Sequence, residues 1–299
     1  FGADLTIMEE AHEIIERVTK DENLPILTSC CPGWVNFLKF HFPNLSYMPS
    51  SCKSPQQMVG AVSKSYYAAN MGIEPENMVM VAVMPCIAKK YEAALPEHQV
   101  NGLPDVDYVI TTRELAKMLK EAGIDLRYMA DEGFDDPLGE STGAGVIFGA
   151  SGGVLEAALR TVHETVTGQE LEDVNFTAVR GMAGAREASI QLEDRTIRVA
   201  VAVGLGNARK ILENIEKGTS KYDVIEIMAC PGGCVNGGGQ PYTQDRQEVI
   251  EQRIKGLYAI DGSQAIRKSH ENPSVQRLYQ EFFGEPGSEK AHELLHVGH

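Results

Sequence analysis

The residues of this chain that most directly suggest chemistry are its six cysteines, Cys30, Cys31, Cys52, Cys86, Cys230 and Cys234. In a chain of 299 residues they are too few and too dispersed to staple a small disulfide scaffold, so thiolate chemistry is the stronger reading. Cys31, Cys86, Cys230 and Cys234 lie on three loops that follow apolar, strand-like runs, where α/β folds place their chemistry. Adjacent cysteines diverge and cannot easily share one metal centre. One member of the Cys30–Cys31 pair can therefore ligate while the other stays free as an acid or base. Four cysteines suit either structural zinc or a cubane iron–sulfur cluster. Met84 and Met228, each two residues before a candidate ligand, favour a buried polarisable cofactor over a hydrated ion. The five glycines within 232–239 read as a place where such a cofactor approaches the main chain.

A second constellation lies on the first helical segment, where Leu5, Met8, Ala11, Ile15 and Val18 mark an amphipathic helix over Ala3 to Lys20. Glu10, Glu13 and Arg17 share one face of it at steps of three and four. This stripe reads either as a solvated, ion-paired face or as a proton-conducting row. Lys89, three residues after Cys86, reads as a cationic donor at a helix start, although a lone lysine is more often solvated.

The elements that position these residues alternate. Pro25 to Thr28 reads as a short strand leading to Thr28-Ser29-Cys30-Cys31-Pro32-Gly33-Trp34, with a helix beginning near Gly33 or Trp34. Ser54 is placed as the N-cap of a helix over Gln56 to Asn70, and Cys52 as a small buried filler. Met78 to Met84 reads as a central buried strand ending in Pro85-Cys86. Further strands are expected at Asp107 to Thr111, Phe176 to Arg180, Thr196 to Val203 and Val224 to Met228. Strands alternating with helices predict an α/β fold with mostly parallel sheets. From Gln244 onward the chain reads as helical, with Pro273 to Phe283 as a last amphipathic segment. His292, His296 and His299 could bind a metal but read better as a surface tail.

Composition bounds the function. With 43% hydrophobic residues and a net charge of −15, the chain is globular, carries no basic patch for nucleic acid, and offers no run long enough to span a membrane. No export signal is visible, so a cytoplasmic location is expected.

Three segments, Thr28 to Trp34, Met84-Pro85-Cys86-Ile87-Ala88-Lys89-Lys90-Tyr91-Glu92, and Met228 to Pro241, resemble the three signature motifs of the iron-iron hydrogenases, in the same order, within a similarity covering nearly the whole chain. The resemblance implies one catalytic domain over 1–299. It would have two α/β lobes, approximately 1–140 and 141–262, with mostly parallel sheets and the cofactor in the cleft between them, and a helical tail over 263–299. It implies an H-cluster, a 4Fe-4S cubane joined to a two-iron unit carrying carbonyl, cyanide and a bridging dithiolate amine. Cys31, Cys86, Cys230 and Cys234 would hold the cubane, with Cys234 bridging to the two-iron unit. Lys89 would donate to a cyanide. Met84, Ser54, Gln56, Phe148 and Met228 would line the pocket. Cys30 would pass protons, with Ser50, Glu10, Glu13 and Arg17 forming the route to the surface. Hydrogen and protons are the implied substrates, and ferredoxin or NAD(P)-linked subunits and maturation enzymes the implied partners. Additional iron–sulfur clusters are expected upstream of Phe1. The alternative is a non-catalytic relative, a hydrogen sensor or iron–sulfur assembly factor.

Overall fold

The computed structural model describes residues 1–182, 184–192 and 195–297. His299 lies outside them. Its centre is a four-stranded sheet built from β1 (Ile26–Thr28), β6 (Ala185–Leu192), β7 (Arg195–Val203) and β8 (Val224–Met228), in the order β1-β8-β7-β6. The pairs β1/β8 and β8/β7 are parallel and β7/β6 is antiparallel. A separate parallel pair joins β2 (Val81–Met84) to β5 (Tyr108–Thr111), and β3 (Gln99–Val100) and β4 (Leu103–Pro104) form a short hairpin.

Period-two alternation divides the large sheet into two faces. On one, Ile26, Val199, Val201, Val224 and Met228 pack against α1 (Gly2–Lys20) and Val154, Leu155, Ala158 and Val162 from the helix Gly153–Thr167. On the other, Leu27, Ala200, Ala202, Ile225 and Ile227 meet Trp34 and Leu38 of α2 (Pro32–His41) and Ile211 and Leu212 of the helix Leu205–Glu216. Covering both faces is what a largely parallel sheet requires, because neither face tolerates water. Leu5 of α1 also packs into a third core with α3 (Pro55–Val62) and the C-terminal residues Val275, Leu278, Phe283 and Leu295. Helix α1 is thus enclosed by the sheet and by the C-terminal segment, which is why its polar stripe is not on the surface.

Several expectations change. The run Met78 to Met84 contributes a strand only over Val81–Met84, and Val81 and Val83 are 53% and 45% exposed, so β2 is not a central buried strand. Among the described residues it pairs with β5 alone. Phe176 to Arg180 forms a 3-10 turn at Thr177–Val179, while β6 follows it. The alternation that marks β6 is weak in sequence because Arg186 shares the face that carries Ala188 and Ile190, while the other face holds Ala185, Glu187, Ser189 and Gln191. The helix expected over Gln56 to Asn70 is α3 followed by a π-turn, Ser63–Tyr67, and α4 (Ala68–Met71).

Candidate functional site

The first cysteine loop leaves β1 through Ser29, a non-glycine residue at φ 101°. Such a conformation costs about 1–3 kcal/mol and persists only where neighbours over-determine it. The fully buried Trp34 provides one restraint, donating Nε1–H to Ser29 O at 2.7 Å, and Ser29 Oγ lies 3.7 Å from Met228 Sδ. The turn brings Cys30 inward and leaves Cys31 at the N-cap of α2, beside the positive end of the helix.

The second loop runs from β2 through Pro85 and Cys86 into α5 (Ala88–Ala93). The backbone N–H groups of Lys89 and Ala88 both reach Cys86, whose thiol is raised chiefly by burial. The third loop leaves β8 at Ala229 and passes Cys230, Gly233 and Cys234. A Cβ at Gly233, where φ is 92°, would stand 2.6 Å from Ser151 N, and one at Gly237 would stand 2.1 Å from Pro85 O. These two glycines let the third loop press against the backbones of its neighbours. Gly239 N donates to Pro85 O at 2.8 Å, so the loops bearing Cys86 and Cys234 are tied together.

The four cysteines converge. Burial, followed by the neighbouring Cys31 and Cys86 sulfurs, lifts the Cys230 thiol to about 11. Cys234 is raised well above an ordinary thiol by burial and by Cys31, Cys30 and Cys86, against the opposing charge of Lys89. Among the described residues, the groups whose donor atoms all lie within 4.8 Å of one another do not include this quartet. Tetrahedral zinc would need its sulfurs about 3.8 Å apart, from Zn–S bonds of about 2.3 Å. Four soft sulfurs brought together beside a buried ammonium fit a cubane iron–sulfur cluster.

Lys89 is 5% exposed, not solvated. Its Nζ lies 3.0 Å from Cys30 O, 3.7 Å from Cys30 Sγ and 2.6 Å from Glu92 Oε1. Burial opposes its charge, but Cys30 and Glu92 outweigh burial and keep it an ammonium. Glu92 was not expected to matter. Its Oε2 accepts from Ser54 Oγ and Gln56 Nε2, each at 2.7 Å, and despite burial its carboxyl is held below its ordinary value by Lys89 and Ser54. Ser54 therefore occupies the N-cap position without capping; its hydroxyl serves Glu92 instead. The i,i+3 spacing of Lys89 and Glu92 was the available signal.

Cys30, Glu10, Ser50, Ser54, Cys52 and Phe148 line one cavity. Burial pushes the Cys30 thiol up to about 12, so it keeps its proton. Glu10 is 3% exposed, accepts from Thr28 Oγ1 and the Ser29 N–H, and is raised to about 7 by burial, with Glu13 and Glu226 adding to the rise. From the cavity wall, Ser50 Oγ donates to Glu13 Oε2 at 2.7 Å, and Arg17 Nη2 donates to Glu13 Oε1 at 2.6 Å. Arg17 also donates to Met48 O and Pro49 O. The stripe on α1 is thus a buried row and not a solvated face. Met228 is buried beside Ser29, whereas Met84 lies at the end of β2 in a separate depression with Gly2, Pro55 and Gln56. The tail is also revised: His292 is exposed, but His296 is buried and bonded to Glu9.

Glu226, hidden in the apolar run of β8, is fully buried, accepts from the N–H groups of Gly152 and Leu155, and is also raised to about 7 by burial. Because Glu10 and Glu226 hold protons that an unfolded chain releases near 4.5, the stability these two carboxyls contribute falls as pH rises from about 4.5 to about 7. Glu10→Gln is expected to remove roughly 3 kcal/mol of that decline. Urea midpoints at about pH 5 and about pH 8 check it, and equal slopes for the variant and parent would refute it.

An α/β fold that gathers four cysteine sulfurs at strand ends, beside a buried lysine and a row of buried carboxyls, fits an iron–sulfur protein. The chain belongs to the iron-only hydrogenase family: residues 1–238 match the iron-only hydrogenase large subunit, C-terminal domain, and residues 247–299 match the iron hydrogenase small subunit. It is 54% identical to the NADP-reducing hydrogenase subunit HndD of Solidesulfovibrio fructosivorans, covering 99% of this chain and 52% of that protein. A solved apo structure of the [FeFe]-hydrogenase HydA1 variant from Chlamydomonas reinhardtii superposes with a TM-score of 0.87 at 44% identity, covering 100% of this chain and 82% of that one. Protein NAR1 of Arabidopsis thaliana is 33% identical over 98% of this chain and 67% of its own length. The chain spans about half the length of the hydrogenase subunit it matches.

Proposed function

We propose that this domain catalyses the reversible interconversion of hydrogen with two protons and two electrons at a buried H-cluster held between two lobes, approximately 1–140 and 141–262, with 263–299 as a helical tail. The observation that carries the reading is the convergence of Cys31, Cys86, Cys230 and Cys234 beside Cys30, Lys89 and a polar row leading away through Glu13. When bound, the cofactor would supply the redox chemistry; Cys31, Cys86, Cys230 and Cys234 would hold its cubane, and Cys234 would also serve the two-iron unit. The Lys89 ammonium compensates negative charge in an apolar pocket, where unpaired charge is costly. Phe148 and Ser54 line that pocket, Gln56 acts on it through Glu92, and Met84 and Met228 would flank the cofactor from the ends of β2 and β8.

Proton movement belongs to the chain's own groups. Cys30 Sγ carries a proton at the cavity, and Glu10, near 7, can both accept and release one at working pH. Ser50 Oγ and Glu13 continue toward Arg17. Electrons go to a ferredoxin or NAD(P)-linked partner, in keeping with the relative described as NADP-reducing. No helix among the described residues is long and apolar enough to cross a membrane.

A second reading, an iron–sulfur assembly factor or hydrogen sensor, draws its first form from the 32% identity to the cytosolic iron-sulfur assembly component 3 of Rattus norvegicus. Cys30 and the row through Glu13 favour the enzyme, because neither a sensor nor an assembly factor needs turnover-grade proton supply. Glu13→Ala is expected to slow turnover by about 10²-fold or more while leaving the cofactor's infrared bands in place. Unchanged turnover would remove Glu13 from the route.

A further inference from the structure

We infer that Glu13, Cys52 and His296 form a binding site for a thiophilic divalent cation of the zinc and cadmium class, situated on the proton route. A carboxylate oxygen, the Cys52 sulfur and a ring nitrogen of His296 all lie within 4.8 Å of one another, and Cys52 Sγ is 3.7 Å from Glu13 Oε2. Bonds of about 2.0–2.3 Å to such an ion bring tetrahedral donors to about 3.3–3.6 Å, so closure by roughly 1 Å completes the site.

Two features preset it. Cys52 and His296 face each other across an antiparallel bridge, fixed on either side by Lys53 N donating to Leu295 O and Val297 N to Ser51 O, both at 2.8 Å. This holds thiol and imidazole side by side. His296 Nε2 lies 2.9 Å from Glu9 Oε2, and Glu9 is itself bound by Tyr279 Oη and by Gly287 N. A carboxylate holding one ring N–H is the arrangement that orients a metal-ligating histidine. It leaves Nδ1 as the acceptor, 2.8 Å from Ser51 Oγ, on the side of Glu13 and Cys52. The charges favour a dication as well. Glu9, Glu10 and Glu13 surround the position, and Arg17 is the guanidinium at Glu13. Cys52 lines the same cavity as Cys30, which gives the ion a way in. Among the described residues, the other cluster of comparable size, Glu164, His270 and Glu271, holds the Lys268 ammonium at 2.7 and 3.2 Å and contains no thiol.

Binding exchanges the Cys52 thiol proton for the metal, releasing one proton to solvent with no change of oxidation state. Occupancy also removes Glu13 from exchange with Ser50 Oγ, a consequence that rests on the proton route proposed above. The test adds cadmium ion to the cofactor-loaded enzyme and follows the ultraviolet cadmium–thiolate band, turnover and the cofactor's infrared bands together. The parent is expected to gain one thiolate-bound cadmium and lose turnover at least tenfold, with the infrared bands unmoved. Cys52→Ala, compared with its own cadmium-free turnover, should lose both the band and the inhibition. His296→Gln should lose the band, and Glu9→Gln should bind about 10–100-fold more weakly. A parent without the band, or a band that persists in Cys52→Ala, overturns the site and leaves the route intact. Cadmium bound through Cys52 with turnover undiminished upholds the site and overturns the route through Glu13.

Discussion

Replacing Cys30 by alanine is expected to lower hydrogen turnover by about 10²–10⁴-fold while the cofactor stays bound, the range lost with a positioned acid–base group. Cys30 and Cys31 are neighbours in sequence but are turned to different tasks by the left-handed backbone at Ser29. Cys31 sits at the start of α2 among the other three sulfurs, whereas Cys30 lines the cavity with Glu10 and Ser50 and lies beside the Lys89 ammonium. Its burial keeps it a thiol and therefore a carrier of a proton. Alanine removes the carrier without removing a ligand, so the infrared bands should survive as activity disappears. Turnover within a few-fold of the parent would show that protons travel another way; loss of the cofactor would show that Cys30 is a ligand.

The second large effect concerns stability. Glu92→Ala is expected to destabilise the fold by about 3–5 kcal/mol, because it strands the buried Lys89 ammonium and leaves Ser54 and Gln56 without their shared acceptor. Gln56 already has an unpartnered buried Oε1, so its amide has little scope to find a new arrangement. Glu92→Gln, which keeps the shape and one acceptor oxygen but not the charge, should lose less. Urea unfolding of the protein before cofactor insertion measures both, and a loss below about 1 kcal/mol for the alanine variant would show that Lys89 is neutralised by other means.

How much of this was legible in the sequence depends on whether the information is local. The cysteine loops were, since each follows an apolar run and carries its own glycine or proline punctuation. The large sheet was mostly legible for the same reason, through β1, β7 and β8. The exposure of β2 was not, because an apolar run does not say how many partners its edges will find. Nor was the role of the glycines in the third loop. They are required by Pro85 and Ser151, residues distant in sequence whose approach is set only by the assembled fold. The stripe of Glu10, Glu13 and Arg17 was visible as a helical face, but its burial depends on β1 in front and the C-terminal segment behind. His296 makes the point most clearly. Composition placed it on a surface tail, while the bridge to Cys52 and the bond to Glu9 place it inside, and both partners lie more than two hundred residues away.

The measurement that tests the central claim most directly is the infrared spectrum of this protein, produced anaerobically with the hydrogenase maturation enzymes and then exposed to hydrogen. Metal-bound carbonyl and cyanide bands that shift under hydrogen are the predicted result. Iron and acid-labile sulfide without any such bands would mean that the four cysteines hold a cubane alone, and would contradict the assignment of hydrogen turnover to this domain.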